Sequence, residues 1–313
     1  MTIDSSPNTI EKILQRGTAE VVSSDDLRNK LTSGKKLKIK LYLDPTTGNL
    51  HLGHAVVLRK VRQFQDAGHQ VILVVGNFSE KVADLGNKQK KRQLTDDEVA
   101  KNVNTYLDQA RKVLDTNTIE IAYDSDWLDN MSLREVVALA DHFTMEQFLE
   151  QGQGGKTGKK TTKTSEFFAP LMQGYDSVVL RADVEIGSCD KKFHCLAGQV
   201  LQEAIQEPAQ SVVLTPALAG LDGEVMGKTG ENIIELTEPA TKQFSKVMSV
   251  PDHLIRSYFE LLTDLPANEI AEIEKGIKSG KTIQESKIKL AREIVSTYHD
   301  QEAATYAESQ FNR

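Results

Sequence analysis

Apolar residues keep a helical spacing over roughly the first 33 positions and then change to the spacing of a strand. Ile10, Ile13 and Leu14 recur at helical intervals, and the Asp25–Asp26 pair is typical of a helix start. From Leu37 to Leu43 lysines alternate with apolar residues, which predicts a strand. The pattern therefore predicts a helical amino-terminal segment that leads into the first strand of a sheet.

The next segment changes period twice within about 40 residues. The turn cluster Asp44 to Asn49 ends the strand, Leu50 to Ala67 has helical spacing up to Gly68, and Gln70 to Val75 is an apolar strand. Strand, helix and strand in this order form a βαβ unit, in which a crossover helix joins two parallel strands. A parallel sheet covered by helices is therefore expected.

Beyond this unit, short apolar runs alternate with helical patterns. Residues 95–150 are mostly helical, strands are predicted at 119–122, Ser177 to Ala182 and Ser211 to Thr215, and 220–223 is a turn. From residue 240 onward the spacing is helical, with Pro251 and Pro266 at helix starts. These patterns predict an α/β body followed by a small all-helical domain, with a boundary near residue 235.

One stretch, QGQGGKTGKKTTK at residues 151–163, fits neither period. Its glycine, threonine and lysine content cannot bury a face, so it is predicted to be a loop. It is either a solvated linker or a segment whose lysines contact phosphate.

Composition limits the classes of function. The chain has 39% hydrophobic and 27% charged residues, as a packed domain has, and its net charge of −7 excludes a surface built throughout to coat nucleic acid. The net charge is still compatible with a local basic patch that contacts nucleic acid. The polar amino-terminal sequence and the short apolar runs predict a cytoplasmic protein with no membrane partner. Cys189 and Cys195 are expected to be free thiols, without a zinc site.

Two histidines stand at the start of the predicted crossover helix, directly after the first strand of the βαβ unit. His51 and His54 are three residues apart, so they share one face of the first helical turn. A helix start carries unpaired amide hydrogens and a positive dipole end, and both attract phosphate. Gly53 leaves room for a flat ligand. Such pairs are also common as surface residues or metal ligands, with Asp44 as the nearest further ligand.

The segment HLGH resembles the His-x-Gly-His motif of class I aminoacyl-tRNA synthetases. The surrounding LDPTTGNLHLGHAVVLRKVRQFQDAGHQVILVVGNF is similar to bacterial tyrosyl-tRNA synthetases. The similarity continues in unbroken order to about residue 310, through SDWLDNMS, FFAPLMQGYDSVVLRADVEIG, VVLTPALAGLDG, FSKVMSVPDHLIRSYFELLTDL and KIKLAREIVSTYH.

The resemblance implies a Rossmann-like catalytic domain over residues 1–235, with a helical insertion at about 95–180, and an anticodon-recognition-like helical domain over 236–313. It also implies ATP with Mg²⁺, an amino acid that is most often tyrosine, tRNA and a homodimer built around residues 120–180. Bacterial members usually continue into a small RNA-binding domain, and this sequence ends before that domain. Either the sequence is part of a longer chain or it is a naturally short form.

The resemblance assigns roles to individual residues near the phosphates. His51, His54 and Thr46 would contact the phosphates of ATP, and Lys228 would be the surviving lysine of the second phosphate motif, Lys-Met-Ser-Lys-Ser. The further nucleotide-binding residues implied are Asp44, Gly53, Gly187, Asp190, Met226 and Thr229.

In the amino-acid pocket, Gln173 and Asp176 would hold the amino group and the phenol hydroxyl, and Asp84 would pair with the ammonium. The pocket also departs from the family pattern. Ala169 and Lys40 stand where tyrosines are common, Lys191 replaces a glutamine, and the first lysine of the second phosphate motif is Val225.

These departures have two readings, namely drift in a divergent lineage or a changed substrate. Three functions therefore stay open: a tyrosine–tRNA ligase, a paralogue with another amino acid or a non-tRNA acceptor, and a non-catalytic binding protein.

Overall fold

The computed structural model describes residues 2–45, 49–83, 94–147, 168–227, 231–279 and 282–312. Its amino-terminal half contains α1 (Pro7–Gln15), β1 (Glu20–Val22), α2 (Ser24–Thr32), β2 (Lys38–Leu43), α3 (Leu52–Asp66), β3 (Gln70–Val75), α4 (Asn77–Ala83), α5 (Asp96–Ala110), β4 (Glu120–Tyr123), α6 (Ser125–Leu128) and α7 (Leu133–Ala140). The strand, helix and strand predicted over residues 37–75 are therefore confirmed.

The second half begins with α8 (Phe168–Leu180), β5 (Val184–Ser188), α9 (Lys192–Ala204) and β6 (Ser211–Thr215). The described elements after residue 236 are helical: α10 (Ala240–Met248), α11 (Ile255–Leu262), α12 (Ala267–Lys278), α13 (Ile283–Tyr298) and α14 (Gln301–Phe311), with a 3₁₀ turn at Asp252–Leu254.

Two predictions of secondary structure are wrong. The apolar run at 177–182 was predicted as a strand, but most of it forms the last turn of α8, and the strand follows at Val184–Ser188. A short apolar run fits a buried helix face as well as a strand. The amino-terminal segment is not wholly helical, because β1 pairs antiparallel with β6 between α1 and α2.

The sheet has six strands in the order β1-β6-β5-β2-β3-β4. Strands β6, β5, β2, β3 and β4 are parallel, and β1 is antiparallel at the edge. From β2 the chain builds outward through β3 and β4, and it then returns to the other side of β2 to form β5 and β6. The strand order therefore reverses between β2 and β5, and such a reversal opens a crevice at the carboxyl ends of the strands.

The core is continuous from the sheet to the carboxyl-terminal helices. Leu41 and Leu73 in the sheet belong to the same buried apolar cluster as Phe244 and Leu290 in the helices. The division into two domains near residue 235 therefore stays a prediction. Within the described residues, no helix is long and apolar enough to cross a membrane.

A buried lysine joins the amino-terminal helix to the crossover helix. Lys60 on α3 is 1% exposed, and its ammonium donates to the carbonyl oxygens of Ile13 at 2.8 Å and Arg16 at 2.6 Å. Arg16 in turn donates to the Phe259 and Thr263 carbonyls at the end of α11. Cations at helix carboxyl ends satisfy unpaired carbonyls and complement the helix dipole, so these contacts connect the ends of α1 and α11 to α3.

Candidate active site

The start of α3 follows the carboxyl end of β2, one of the two strands between which the strand order reverses. Two backbone hydrogen bonds attach this start to a later segment of the chain. The Leu52 amide donates to the Ile234 carbonyl at 2.9 Å, and the Leu236 amide donates to the Leu50 carbonyl at 2.8 Å. His51 consequently lies opposite Glu235 in an antiparallel bridge.

The two predicted histidines form a capping box at this helix start. His51 is the N-cap, and its Nδ1 accepts the Gly53 amide hydrogen at 3.1 Å. Nδ1 of His54 accepts the His51 amide hydrogen at 3.2 Å, and the two ring centroids are 4.0 Å apart. The expectation that both imidazoles share the first turn of the crossover helix is confirmed.

The capping box also decides which ring nitrogen carries hydrogen. A neutral imidazole has one donor nitrogen and one acceptor nitrogen, so a ring that accepts at Nδ1 donates from Nε2. Burial lowers the pKa of His51 to about 4, which makes this ring neutral at pH 7. The neutral His51 ring in this arrangement therefore carries its hydrogen on Nε2, where it can donate to a ligand at the helix start.

The first four amides of this helix were predicted to be unpaired, but each of them has a hydrogen-bond partner. The amides of Leu52 and Gly53 donate to the Ile234 carbonyl and to the His51 ring, and those of His54 and Ala55 donate to the His51 carbonyl. The cap and the 234–236 segment satisfy them. The amides of residues 52–55 are therefore already paired, whereas the imidazoles and the helix dipole can still attract a phosphate at this point.

Gly53 is required by the histidine ring above it. A Cβ at this position would lie 2.9 Å from Cε1 and Nδ1 of His51 and 3.6 Å from Cβ of Met226. Met226 is buried, and its amide donates to the Leu218 carbonyl at 3.0 Å. The fold thus brings the start of the second predicted phosphate motif to the first one. Lys228 and Thr229 of that motif lie outside the described residues.

The other predicted nucleotide-binding residues lie at the carboxyl ends of the neighbouring strands β2 and β5. Asp44 directly follows β2 and is half-buried, whereas Thr46 lies outside the described residues. Gly187 is the second-last residue of β5, and a Cβ at this position would lie 2.7 Å from Sγ of Cys195. Asp190 is exposed next to Lys191, the N-cap of α9, and accepts a hydrogen bond from the Ser188 hydroxyl.

Beneath these strand ends lies a group of polar side chains that we call the buried polar cluster, consisting of Lys40, Gln173, Ser177, Glu185 and Gln210. Lys40 and Glu185 are direct partners in the β2–β5 register, both are 0% exposed, and Nζ lies 3.2 Å from Oε2. The Lys40 ammonium also donates to the Gln173 carbonyl and, at 2.7 Å, to the Ser177 hydroxyl.

Both ends of the Gln173 amide have protein partners. Its Nε2 donates to Oε1 of Glu185 at 2.8 Å, and its Oε1 lies 3.2 Å from Nδ1 of His194. Burial lowers the pKa of His194 to about 4, with a smaller effect of Lys191. The Gln210 amide completes the cluster by donating to Oε2 of Glu185 at 2.6 Å.

Asp176 lies one helical turn from Gln173 on α8 and is 0% exposed. Its Oδ1 accepts the indole N–H of Trp127 at 2.9 Å, while its Oδ2 has no hydrogen-bond partner in the described part of the chain. Burial raises the pKa of Asp176 well above its usual range, and Lys40 opposes this rise. A buried oxygen without a partner is costly, so a donor from a ligand would stabilise it.

The predicted pocket residues therefore fall into three groups. Gln173 and Asp176 share the inner face of α8, and Ala169 lies half-buried near the start of that helix. Lys40 was predicted to contact the substrate, but its ammonium is directed to Gln173, Ser177 and Glu185. Asp84 lies outside the described residues.

Sequence reasoning missed Glu185, Ser177 and Gln210. The signal for Glu185 was a lone carboxylate inside the apolar run Val184–Gly187, matching the lone inward lysine of the run at 39–41. Charged residues are rarely buried without a partner, so two such positions in neighbouring strands indicate each other.

Comparison with known proteins gives the same family at the level of sequence, and solved structures share the fold. Residues 32–313 match the sequence profile described as tRNA synthetases class I (W and Y). The chain is 43% identical over 311 residues to a tyrosine–tRNA ligase of Moorella thermoacetica, covering 96% of this chain and 75% of that protein. It is 40% identical to a tyrosine–tRNA ligase of Haemophilus influenzae, covering 97% of this chain and 77% of the relative.

The fold is also similar to that of a tyrosyl-tRNA synthetase from Archaeoglobus fulgidus, whose crystal structure contains L-tyrosine. The TM-score is 0.77 at 20% identity, and the match covers 97% of this chain and 99% of that one. At this identity the similarity supports the fold.

Proposed function

The chain belongs to the class I tRNA synthetases (W and Y), and we propose on this basis that it activates tyrosine with ATP and transfers the tyrosyl group to tRNA. A carboxylate oxygen of the amino acid attacks the α-phosphorus of ATP, tyrosyl adenylate forms and pyrophosphate leaves. The 3′-terminal ribose of tRNA then takes the acyl group and AMP is released. The sequence identity to tyrosine–tRNA ligases supports this choice of substrates.

The observation that carries the proposal is the imidazole pair at the start of α3. Negative charge grows on the phosphate oxygens as the carboxylate attacks, and fixed donors that meet this charge lower the barrier. His51 and His54 are held by backbone hydrogen bonds, so their Nε2 atoms need little reorganisation when the charge develops. The acceleration then comes from positioning and charge stabilisation, without a covalent enzyme intermediate.

The unpartnered carboxyl oxygen of Asp176 supports the amino-acid end of the proposal. Tyrosine has a hydroxyl at the far end of its side chain, and this group can donate to Oδ2. Phenylalanine would leave the same buried oxygen without a partner, and such a difference gives strong discrimination. We assign Gln173 and Asp84 to the amino group, as the family pattern implies.

Magnesium is proposed as part of the nucleotide substrate. In the residues described, no group of three or more His, Cys, Asp or Glu side chains could hold a metal ion. Mg²⁺ commonly binds through substrate phosphates and water with few protein ligands, so this arrangement fits an ion that enters with ATP. It would neutralise charge on the leaving pyrophosphate.

A homodimer is proposed from the exposed face of α7. Within the described chain this helix buries none of its residues, and its apolar side chains are exposed: Leu133 is 78% exposed and Val137 is 60% exposed. Met145, just beyond it, is 58% exposed. Contiguous exposed apolar side chains mark interaction surfaces, and these lie inside the 120–180 region that the family pattern implies.

A cytoplasmic location is the last part of the proposal. Cys189 and Cys195 are both free in the structure, and free thiols fit a reducing compartment.

ATP–pyrophosphate exchange with a panel of amino acids tests the proposed reaction. Exchange is expected with tyrosine and only weakly with phenylalanine, and a His54→Ala variant should lose exchange far more than tyrosine affinity. Exchange with another amino acid alone would reject tyrosine as the substrate, and no exchange with any would reject catalysis. Acylation of tRNA by the exchange-competent protein tests the acceptor, and exchange without acylation would reject tRNA.

A further inference from the structure

The buried ion pair between β2 and β5 is fixed by strand register. Lys40 and Glu185 are Cα partners, so their side chains leave the same face of the sheet side by side. Both are 0% exposed. Burying two charges costs desolvation that their attraction roughly offsets, so such a pair contributes little net stability. The role of the pair is therefore better judged from the hydrogen bonds that Glu185 makes with neighbouring side chains.

Glu185 accepts from three side chains, of which two lie on α8 and one lies just before β6. Its Oε1 accepts the Gln173 amide hydrogen at 2.8 Å, and its Oε2 accepts from Ser177 at 3.2 Å and from Gln210 at 2.6 Å. Because Glu185 takes the Nε2 end of Gln173, the Oε1 end is turned toward His194. One carboxylate thus decides which way the Gln173 amide points.

The same carboxylate fixes the position of Asp176. Gln173 and Ser177 lie on α8 three residues before and one residue after Asp176, and both bond to Glu185. Two contacts on successive turns fix the rotation and the height of a helix face. Asp176 makes its own contact with Trp127 on α6, outside the buried polar cluster.

We propose that Glu185, with Lys40 as its buried counter-ion, is a positioning residue for substrate selection that orients Gln173 and Asp176. The inference rests on the proposed function, which assigns these two side chains to the two ends of tyrosine. Glu185 acts through them and does not touch the substrate. Lys40 supplies the positive charge that permits the carboxylate to be buried.

The reach and the charge of Glu185 can be varied separately. Glu185→Asp keeps the charge but withdraws the carboxylate by one methylene from Gln173. The double variant K40M/E185Q removes both charges but keeps a side chain of the original length, with an oxygen that can accept from Gln173. Its new amide hydrogens can donate to Oε1 of Gln210, which has no hydrogen-bond partner among the described residues.

We expect E185D to raise the KM for tyrosine in pyrophosphate exchange by about tenfold, with kcat within about threefold, since the buried Gln173 amide would lose the acceptor that fixes its orientation. The preference for tyrosine over phenylalanine should fall by a similar factor. K40M/E185Q, which keeps an oxygen that can accept from Gln173, should raise the KM and lower the preference less than E185D does. A residue that only stabilised the fold would change the thermal midpoint and leave the preference intact.

Glu238→Asp is the matched control. Glu238 is 4% exposed and pairs with Lys246 beyond the sheet, so the same shortening of a buried acid should leave KM and preference unchanged. Unchanged KM and preference in E185D would overturn the positioning role, and so would an E185D protein that fails to fold. A wild-type protein without tyrosine-dependent exchange would instead reject the proposed function, and this inference with it.

Discussion

Nδ1 of His54 accepts the backbone amide hydrogen of His51 at 3.2 Å, while the His51 ring turns forward and accepts that of Gly53 at 3.1 Å. Each histidine therefore has a structural task at Nδ1, in addition to the proposed phosphate contact. The two tasks can be separated by substitution, because other residues can cap a helix.

Asparagine at position 51 should keep the cap and remove the imidazole Nε2–H donor. Asn is among the best N-cap residues, whereas Ala leaves the cap unmade at a cost of about 1 kcal/mol. We expect His51→Asn to lower kcat for pyrophosphate exchange by about 10²–10³-fold, as loss of one fixed donor does. Its midpoint in thermal unfolding should exceed that of His51→Ala. Equal activity in H51N and the wild type would refute the role of Nε2–H.

The stability of the protein should depend on His51 below neutral pH. Its pKa is lowered by burial from 6.5 to about 4, so between these values the unfolded chain binds more protons than the folded one. The free energy of unfolding therefore rises with pH across this window. The contribution of His51 to it is lost as the pH falls from 6.5 to about 4. Urea unfolding at pH 5 and 7.5 measures the difference, which should be smaller in H51N. A difference of the same size in both proteins would contradict the assignment.

Gly53→Ala should damage the helix start although alanine favours helices. Alanine is better than glycine in a helix by about 1 kcal/mol, but here its Cβ would lie 2.9 Å from two atoms of the His51 ring. The ring must move, and we expect a lower thermal midpoint and at least a tenfold lower exchange rate.

Gly227→Ala provides the comparison for that substitution, because a Cβ there would meet nothing within 4 Å. It should leave the thermal midpoint unchanged. A G53A protein as stable and active as G227A would show that the ring contact is unimportant.

Charge on α7 should separate the proposed dimer. Leu133 and Val137 are four residues apart and share one exposed face. The double variant L133E/V137E would place two carboxylates in the interface, and we expect sedimentation equilibrium to show a monomer at concentrations where the wild type is a dimer. Changing Tyr306, which is 59% exposed on α14, to glutamate should have no such effect. A monomeric wild type would refute the proposed homodimer.

The local signals in the sequence were sufficient for the first half of the site. The lysine-alternating strand, the turn and the periodic helix predicted β2, α3 and the shared turn of His51 and His54. These features depend on neighbours within a few residues, where turn chemistry and periodicity are informative.

The second half depends on contacts between distant segments. Glu185 makes β5 look less apolar than the preceding run at 177–182, and its burial is understandable only beside Lys40, 145 residues earlier in the chain, whose partner it is in the sheet. The pairing of the amides at the start of α3 likewise depends on a distant segment of the chain. The carbonyl of Ile234 satisfies Leu52, and no local pattern predicts that pairing.

The pairing of residues 50–52 with 234–236 links the imidazoles mechanically to the carboxyl-terminal helices. Leu236 is followed within four residues by α10, and no strand of the sheet intervenes. A macromolecule that pushed on these helices would move the ends of the two backbone hydrogen bonds at Leu50 and Leu52 directly. A displacement of α10 would then be passed to the segment that holds the two histidines through four residues of chain and these two hydrogen bonds.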